Sequence, residues 1–420
     1  MKETKNVPQL RFSGFDDEWE NKEFSELFER RMERNNGQFG YDRWISVAKM
    51  YFQKPDKVTS NNIDTRTYVM RKSDIAFEGH SNKDYKLGRF VENDIGDGVI
   101  SELFPIYKHI ASYDLNYWKY AIQIERIMFP KLTKCIEISY TSSNKLDEYF
   151  FLKEHVLVPS CSEQKKIGTF ISHVDSLIQA KTKKLESLKA VKKSLLQKCF
   201  PRTMSNVQCE MSNDNCKSHT ANCKLSLVPE MRFAGFSGDW EEKKLGEVCE
   251  INPSSNLPSV FEYVDLESVL GSEMISHRTE FKGNAPSRAQ RLAKKGDVFY
   301  QTVRPYQKNN YLFELDSTNY VFSTGYAQLR PNGINSKFLM CQIQSDTFVN
   351  KVLEKCTGTS YPAINSTELS EITLLVSNDF VEQQKIGQFF SKYDSLISAQ
   401  QKEIDKLKDI KKALLQKMFI

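Results

Sequence analysis

Two long segments of the chain are close copies of each other. Residues 163–200 read EQKKIGTFISHVDSLIQAKTKKLESLKAVKKSLLQKCF, residues 382–419 read EQQKIGQFFSKYDSLISAQQKEIDKLKDIKKALLQKMF, and about 22 of the 38 positions are identical. A second pair lies upstream, VPQLRFSGFDDEWENKEFSELFE from Val7 and VPEMRFAGFSGDWEEKKLGEVCE from Val228, at an offset of 221 residues. Solenoid repeats are far shorter than this, so the sequence predicts a duplicated unit made of one domain and one long helix.

Each copied segment carries the apolar pattern of a coiled-coil helix, with steps that alternate between four and three residues. The predicted helix-pair seam consists of Ile167, Ile171, Val174, Ile178, Leu185, Leu188, Leu195, Ile386, Phe390, Tyr393, Ile397, Ile404, Leu407 and Leu414. Neither helix can expose such a seam to water alone. We therefore expect the two helices to pack on each other as an antiparallel pair, with the globular domains at opposite ends.

Polar residues interrupt the predicted seam at matching positions. Lys181 and Gln400 are equivalent in the two copies, as are Lys192 and Lys411. A buried polar residue would fix the register of the pair at a cost in stability, whereas a solvated seam edge would tolerate the same residues without any such role. The sequence leaves both interpretations open for Lys181 and Gln400. Ser162 and the Asn378-Asp379 pair are the candidate N-terminal caps of the helices.

The predicted fold class is α+β, with two duplicated mixed α/β domains joined by two long antiparallel coiled-coil helices in a pseudo-twofold arrangement. Similar strand-like runs recur in both halves, at Ile75–Phe77 and Val298–Tyr300 and again at Val99–Ser101 and Val321–Ser323. The predicted boundaries are 1–160 for the first domain, 161–200 for the first helix, 201–227 for a linker, 228–378 for the second domain and 379–420 for the second helix.

Composition narrows the classes of function. The net charge of +5 comes from 59 Lys and Arg against 54 Asp and Glu, which permits a nucleic-acid partner without requiring one. No apolar run approaches the roughly 18 residues of a membrane helix, and the N-terminus lacks the apolar core of a signal peptide. Nine cysteines without paired spacing suit a reducing compartment, so we expect a cytoplasmic protein.

Motifs that carry catalysis or bind metal are missing from the sequence. There is no phosphate-binding loop, no dinucleotide fingerprint and no N-P-P-[FY] or D-P-P-[FY] motif of an adenine methyltransferase. The six histidines are dispersed and do not recur between the copies. Cys209, Cys216 and Cys223 recur every seven residues in the linker, but the paired cysteines of zinc sites are usually separated by only two to four residues. We therefore predict no catalytic residue and no metal ligand in this chain.

Two polar loops in each half carry the side chains that proteins use to contact DNA. Arginine can contact guanine through two hydrogen bonds, Gln or Asn can do the same with adenine, and lysine or a hydroxyl can bind phosphate. Solvated turns often have this composition as well. The candidates in the second half are Gln301, Thr302, Arg304, Tyr306, Lys308, Asn309, Gly358, Thr359, Ser360 and Tyr361. The candidates in the first half are His80, Ser81, Asn82, Lys83, Thr141, Ser142, Asn144 and Lys145.

Taken together, the repeated motifs resemble the specificity subunit of bacterial type I restriction–modification enzymes. The resemblance is carried by the V-P-x-x-R-F-x-G-F-x-x-x-W head, by the E-Q-x-K-I-G-x-F start of each helix and by its L-L-Q-K-x-F end, and it covers the chain as two copies. It implies two target-recognition domains, each reading one half of a split double-stranded DNA target. The first half departs from the second because the loop after Phe77 lacks an arginine.

The resemblance also implies that the helices set the spacing of the half-sites and dock two methyltransferase subunits. Restriction and translocase subunits would join the full complex. The chain itself would be noncatalytic, within an adenine-N6 methyltransferase and endonuclease complex whose other subunits bind S-adenosylmethionine, ATP and Mg²⁺. A coiled-coil adaptor with two protein-binding domains is the alternative interpretation. An enzyme in its own right is a third possibility.

Overall fold

The computed structural model describes residues 6–59, 62–137, 143–201, 227–358 and 360–420. The chain divides into two compact units. Unit 1 comprises Met1–Thr182 together with Glu403–Ile420, and unit 2 comprises Lys183–Lys402. Each unit therefore contains a globular part and a portion of each of the two long helices. The predicted linker at 201–227, with its three cysteines, lies almost wholly outside the described residues.

The first half of the chain contains twelve strands and five helices within the described residues. Its strands are β1 (Glu20–Glu23), β2 (Phe28–Arg31), β3 (Ile45–Ser46), β4 (Tyr51–Phe52), β5 (Thr67–Met70), β6 (Ile75–Glu78), β7 (Arg89–Glu92), β8 (Gly98–Ser101), β9 (Ile106–His109), β10 (Ile136–Glu137), β11 (Lys145–Leu146) and β12 (His155–Val158). Its helices are α1 (Phe24–Leu27), α2 (Leu115–Ala121), α3 (Glu125–Cys135), α4 (Glu148–Lys153) and α5 (Cys161–Cys199).

The second half also contains twelve strands and five helices within the described residues. Its strands are β13 (Glu241–Lys244), β14 (Cys249–Ile251), β15 (Val260–Val264), β16 (Val269–Leu270), β17 (Glu273–Met274), β18 (Arg278–Phe281), β19 (Ala289–Leu292), β20 (Val298–Gln301), β21 (Tyr311–Leu312), β22 (Tyr320–Ser323), β23 (Tyr326–Pro331) and β24 (Thr373–Val376). Its helices are α6 (Leu245–Val248), α7 (Ser336–Ile343), α8 (Asp346–Lys355), α9 (Ser366–Ser370) and α10 (Phe380–Met418). It has more strands before α7 than the first half has before α2, and none of its described strands lies between α7, α8 and α9.

The two units share one sheet topology. Unit 1 has a four-stranded antiparallel sheet in the order β2-β9-β6-β7, and unit 2 has the same sheet as β14-β23-β20-β21. A separate antiparallel pair, β1 with β12 or β13 with β24, joins the start of each half to the strand before its long helix. The central strands β6 and β20 are buried along their whole length, as expected for strands that are covered on both faces. These matches confirm the predicted duplication of the strand framework.

The remaining strands differ between the units. In unit 1, β5 pairs with β8 and forms a single bridge from Tyr68 to Arg34, and β3 pairs with β4 as a short hairpin. In unit 2 the equivalent pair, β19 with β22, is extended by β15 and β18 into a four-stranded sheet in which β15 runs parallel to β22. The duplicated framework therefore carries a different outer sheet in each unit.

The long helices α5 and α10 each contain 39 residues and run antiparallel to each other within both units. In unit 1, Lys181 lies 2.7 Å from Glu403, and Lys411 lies 2.6 Å from Asp175. In unit 2, Lys192 forms an ion pair with Asp394. Because the numbers fall on one helix as they rise on the other, the pairing is antiparallel, as the sequence predicts. All fourteen seam residues are buried or half-buried.

The seam interruptions and caps depart in part from the sequence predictions. Lys192 and Lys411 are equivalent residues, and each reaches the equivalent aspartate of the other helix. Gln400 is 9% exposed, whereas the Lys181 side chain is 25% exposed, so the buried interpretation holds for Gln400 and the solvated edge describes Lys181 better. The prediction of Ser162 as a cap is wrong, because α5 begins at Cys161 and Ser162 lies in its first turn.

A buried ion pair attaches the head of each half to the start of its long helix. Arg11 donates two hydrogen bonds to Glu163, of 2.7 and 2.8 Å. Arg232 donates two to Glu382, of 2.6 and 2.8 Å. Both carboxylates are at most 1% exposed, and a buried carboxylate needs such a partner to remain charged. The recurring R-F and E-Q motifs are therefore two sides of one contact.

The glutamine and glycine of the helix-start motif fit each long helix against the short helix α2 or α7. Gln164 accepts a hydrogen bond from the backbone N–H of Asp114, which caps α2, and Gln383 accepts one from Asn335, which caps α7. A Cβ on Gly168 would lie 2.4 Å from the backbone nitrogen of Tyr117. Only glycine permits this approach.

The end of each long helix belongs to the core of the unit that contains the opposite head. In unit 1, Phe419 is 2% exposed and stacks on Tyr117 with ring centroids 5.3 Å apart. In unit 2, Phe200 packs against Phe338 at 5.5 Å and Trp240 at 5.7 Å. The phenylalanine of the L-L-Q-K-x-F motif is thus a core residue, and each core is completed by a segment distant in sequence.

Candidate nucleic-acid interface

The two loops predicted separately in the second half are hydrogen-bonded neighbours. We call residues 301–310 the upstream loop of unit 2 and residues 356–363 its downstream loop. The backbone N–H of Arg304 donates to the carbonyl of Pro362 at 2.7 Å, and Val303 forms a bridge with Ala363. The two loops therefore form one continuous surface beyond the end of β20.

Among the candidates on this surface, Tyr306, Ser360 and Tyr361 have exposed side chains, and Arg304 is half-buried beside them. Tyr306 is 49% exposed and Tyr361 is 65% exposed, although both are large aromatic residues. The guanidinium carbon of Arg304 lies 4.2 Å from the centroid of the Tyr361 ring, within the range of a cation–π contact. Ser360 is also exposed, Gly358 adopts a φ of 86° that favours glycine, and Thr359 lies outside the described residues.

Four other candidates in the upstream loop are engaged in internal hydrogen bonds. Gln301 is 3% exposed and donates to Gln307 at 2.9 Å, and the hydroxyl of Thr302 donates to the Gly325 carbonyl at 2.8 Å. Lys308 donates to Asp346 at 2.5 Å. These side chains hold the loop in shape, and a DNA contact by any of them stays a prediction.

Two further contacts fix the ends of the upstream loop. Asn309 accepts a hydrogen bond from the backbone N–H of Gly271 at 2.8 Å. Hydrogen bonds from Lys308 and Lys193 hold the pKa of Asp346 below its ordinary value, so the carboxylate remains charged at neutral pH. The anchored carboxylate keeps Lys308 turned toward α8.

The two predicted loops of the first half also lie side by side. The backbone N–H of Asn144 donates to the Gly79 carbonyl at 3.0 Å, and the Asn144 amide donates to the Ser81 hydroxyl at 3.2 Å. A Cβ on Gly79 would lie 2.2 Å from the Asn144 carbonyl oxygen, so glycine is required at this crossing. Thr141 and Ser142 lie outside the described residues.

The exposed side chains of this first-half surface differ from those of unit 2. His80 is 52% exposed and its ring contacts the buried Glu78. Asn82 accepts hydrogen bonds from the backbone N–H groups of Asp84 and Tyr85 in its own turn, at 2.9 and 3.0 Å. Lys83 and Lys145 are exposed. Equivalent loops on one framework thus present different chemical groups in the two units.

Sequence reasoning missed one arginine at the first-half surface. Arg89, on β7, lies 4.0 Å from Glu78 and 4.9 Å from the Tyr85 ring centroid. It comes from the strand that pairs with β6, whereas the sequence argument considered only the loop after Phe77. The antiparallel pair of Glu78 with Arg89 could have been found by extending the predicted hairpin beyond its turn.

The long helices carry a second type of surface, which we call the outer patches. Leu177 and Ile410 form the outer patch of unit 1, and Leu396 and Val191 form that of unit 2. All four are 43–56% exposed. Leu396 is equivalent to Leu177 and Ile410 to Val191, each at an offset of 219 residues. Unlike the loops, the outer patches therefore keep the same apolar character in both units.

In the described part of the chain, no helix has the length and hydrophobicity needed to cross a membrane. Among the same residues, no three His, Cys, Asp or Glu side chains converge as a metal site would require.

The comparisons with known proteins agree on one family. The family model described as "Type I restriction modification DNA specificity domain" matches residues 237–409. The specificity subunit of the type I restriction enzyme HindI from Haemophilus influenzae is 27% identical over 196 residues, and the match covers 43% of this chain and 41% of that protein's length. The MjaVIII specificity subunit from Methanocaldococcus jannaschii is 21% identical over 312 residues, which cover 71% of this chain and 68% of the relative.

Solved structures extend the similarity of fold to the whole chain. The S subunit of a type I restriction–modification system from M. genitalium superposes with a TM-score of 0.60 at 16% identity and covers 99% of both chains. A chain from a structural study of complex assembly in a type I system superposes with a TM-score of 0.51, also at 16% identity, and covers 97% of this chain and 99% of that one. The duplicated α+β fold with its two long helices is shared with these proteins. This chain is therefore similar in sequence and in fold to type I restriction–modification specificity subunits.

Proposed function

We propose that this chain is the sequence-specific double-stranded DNA-binding subunit of a type I restriction–modification complex, and that each unit reads one half of a bipartite target. The observation that carries the proposal is the contrast between framework and loops. The four-stranded antiparallel sheet, the ion pair between head and long helix, and the helix seam recur in both units, but the exposed loop residues differ. Divergent loops on a conserved frame suit the recognition of two different short sequences.

The chemistry of the loops supports DNA as the ligand. Unit 2 offers Arg304 with the exposed Tyr306 and Tyr361, and unit 1 offers His80, Lys83 and Lys145. Such side chains donate to base edges and phosphates. A net charge of only +5 fits a complex in which partner subunits share the phosphate contacts.

Footprinting of the chain with its methyltransferase on duplex DNA tests this proposal. We expect two protected segments separated by a fixed gap, and binding that weakens steeply as salt rises. Protection of one contiguous site would argue against bipartite reading. Absence of any salt-dependent shift of duplex DNA would favour the adaptor interpretation instead.

We further propose that α5 and α10 set the distance between the half-sites. A helix of 39 residues is about 58 Å long at 1.5 Å per residue. This length exceeds the roughly 34 Å between the centres of half-sites one helical turn apart. The ion pairs of Lys192 with Asp394 and of Lys411 with Asp175 oppose sliding of one helix along the other, as a spacer requires.

The outer patches are the proposed docking surfaces for two methyltransferase subunits. An apolar pair that recurs at equivalent positions, while the loops diverge, fits two copies of the same partner. The patches are small, so the partner would use them as anchors within a larger contact. The methyltransferase would be of the adenine-N6 type and would bind S-adenosylmethionine. Restriction and translocase subunits would bind ATP and Mg²⁺. This chain would not catalyse the reaction itself. We expect the complex to act in the cytoplasm.

Native mass spectrometry of reconstituted complexes tests the docking proposal. Leu177→Glu with Ile410→Glu should remove one of two bound methyltransferase subunits, and Leu396→Glu with Val191→Glu should remove the other. Gln179→Glu adds one negative charge at another exposed position of α5 and serves as the control. Retention of two subunits by both double variants would contradict the assignment.

A further inference from the structure

We propose that Tyr361 is a positioning residue that holds the Arg304 guanidinium for contact with a guanine in the half-site read by unit 2. The inference rests on the proposed function and assigns a chemical partner to one residue pair. It is carried by three observations on the loop surface of unit 2, concerning the backbone, the stacking and the absence of internal partners.

The backbone of Arg304 is held in a conformation that arginine rarely adopts. Its φ and ψ are both 55°, in the left-handed region, where residues other than glycine are disfavoured. The hydrogen bond from its N–H to Pro362 and the bridge between Val303 and Ala363 hold this geometry. Glycine would fit this turn without strain, so the backbone conformation alone does not account for an arginine here.

The Tyr361 ring restricts where the guanidinium can go. With 4.2 Å between the guanidinium carbon and the ring centroid, the contact limits the rotamer freedom of a long side chain. Tyr361 is 65% exposed, so the stacked pair lies at the surface and not in the core. An arginine held in advance loses less conformational entropy when it binds.

Apart from the Tyr361 ring, the Arg304 side chain has no partner among the described residues. Within the described residues, no hydrogen bond or ion pair engages its side chain, and its Nε is buried without a partner. Other cations of unit 2 are engaged, as Lys308 is by Asp346 and Arg330 by Asp297. The terminal nitrogens of the Arg304 guanidinium are not buried in the way that Nε is, so they remain available to a ligand that supplies acceptors.

Guanine supplies the acceptors that match this geometry. Its O6 and N7 lie side by side in the major groove and accept two hydrogen bonds from one guanidinium, the commonest specific arginine contact with DNA. A lysine in the same place would neutralise phosphate but could not reproduce the planar fork. The inference therefore predicts discrimination at one base pair and not a general gain in affinity.

Sequencing of methylated sites in a host that expresses the chain with its methyltransferase tests the inference. Four chains are compared: the unaltered protein, Tyr361→Phe, Tyr361→Ala and Arg304→Lys. We expect Tyr361→Phe to keep the target unchanged. Tyr361→Ala and Arg304→Lys should lower the preference for guanine at one position of one half-site by about tenfold, and the other half-site acts as an internal control.

The outcomes separate this inference from the proposed function. A bipartite target that is the same in all four chains would overturn the inference alone, as would equal weakening at every base of both half-sites. If Tyr361→Ala does not accumulate as folded protein, Arg304→Lys decides, and an undiminished guanine preference overturns the inference. An unaltered chain without a bipartite target would overturn the proposed function as well.

Discussion

The guanidinium of Arg232 holds the fully buried carboxylate of Glu382 through two parallel hydrogen bonds of 2.6 and 2.8 Å. The two residues are 150 positions apart in the chain. Their contact fixes the head of the second half to the first turn of α10, and Arg11 with Glu163 repeats it in unit 1. Its duplication indicates that the joint between head and helix is part of the framework common to both units.

The buried ion pair of Arg232 with Glu382 predicts that the two substitutions are not additive in a double-mutant cycle. Arg232→Met leaves Glu382 buried without its cation and should lower the free energy of unfolding by about 3–5 kcal/mol. The double variant with Glu382→Gln should recover most of the loss, because no unpaired charge remains. Denaturant unfolding measures both. The exposed pair of Lys244 with Glu371 is the control and should contribute little. Additive losses in the double variant would contradict a buried ion pair.

The close packing of α5 on α2, and of α10 on α7, predicts that alanine at Gly168 or Gly387 is destabilising. Alanine normally favours a helix by about 1 kcal/mol over glycine. Here the new methyl group would meet backbone atoms of α2, 2.4 Å away, or α7, 2.8 Å away, and overpacking should cost about 1–3 kcal/mol. Gly283→Ala, in a turn where nothing lies within 4 Å, is the control for a glycine-to-alanine change without overpacking. A rise in melting temperature for Gly168→Ala would show that the helices do not pack this closely.

The helix ends predict which unit each substitution weakens. Phe419→Ala should destabilise unit 1 by about 3–5 kcal/mol, since Phe419 is in its core with Tyr117. Phe200→Ala should weaken unit 2, where Phe200 contacts Trp240 and Phe338. Hydrogen exchange with mass spectrometry reports the protection of α2 and α7 separately. Loss of protection in α7 for Phe419→Ala, with α2 unchanged, would be incompatible with this assignment.

The buried carboxyl of Glu92 predicts a pH dependence of stability. Burial, and the nearby Asp94 and Asp114, raise the pKa of Glu92 to about 10, and neither carboxyl oxygen has a hydrogen-bond partner. Because the pKa is higher in the folded state, the stabilising proton uptake is fully present below pH 4.5 and is lost as pH rises through the folded pKa.

For this reason the unaltered chain should lose up to about 1.4 kcal/mol of stability per pH unit through Glu92 as pH rises from 6 to 9. Glu92→Gln should remove that slope and be the more stable chain at pH 9. Melting temperatures of both chains across this range provide the measurement. Parallel pH profiles would mean that Glu92 is ionised in the folded protein.

Features of this fold that depend on residues close together in the sequence could be predicted more readily than contacts between distant residues. The seams of α5 and α10 follow from the local spacing of apolar residues, so Ile167 and Ile386 could be identified from the sequence. The R-F and E-Q motifs were also visible, but their contact links residues 152 and 150 positions apart. Opposite charges that recur at matching offsets are the signal that could have suggested the pairing.

The candidate site was harder to resolve by residue type. Gln301 and Thr302 have side chains suited to DNA, yet the same donors and acceptors satisfy buried groups within unit 2. Local sequence cannot distinguish these uses, because the partners Gln307 and Gly325 are fixed only by the fold. Arg304 contacts Tyr361 because the fold places the upstream and downstream loops side by side, and the sequence of neither loop alone indicates that contact.

The spacer proposal predicts that the gap in the target follows helix length. Seven residues inserted after Thr182 and seven after Lys402 would lengthen both helices by about 10.5 Å and preserve the heptad seam. The gap should then grow by about three base pairs at 3.4 Å each, with both half-sequences unchanged. Methylated-site sequencing reads this directly. An unchanged gap in a folded, active complex would show that the helices do not set the spacing.

The central claim, that one chain reads two separate half-sites, is tested most directly by sequencing methylated adenines in a host that expresses this chain with its methyltransferase. The account predicts one motif made of two short specified sequences separated by a fixed number of unspecified bases. A single contiguous motif, or methylation without sequence preference, would contradict it.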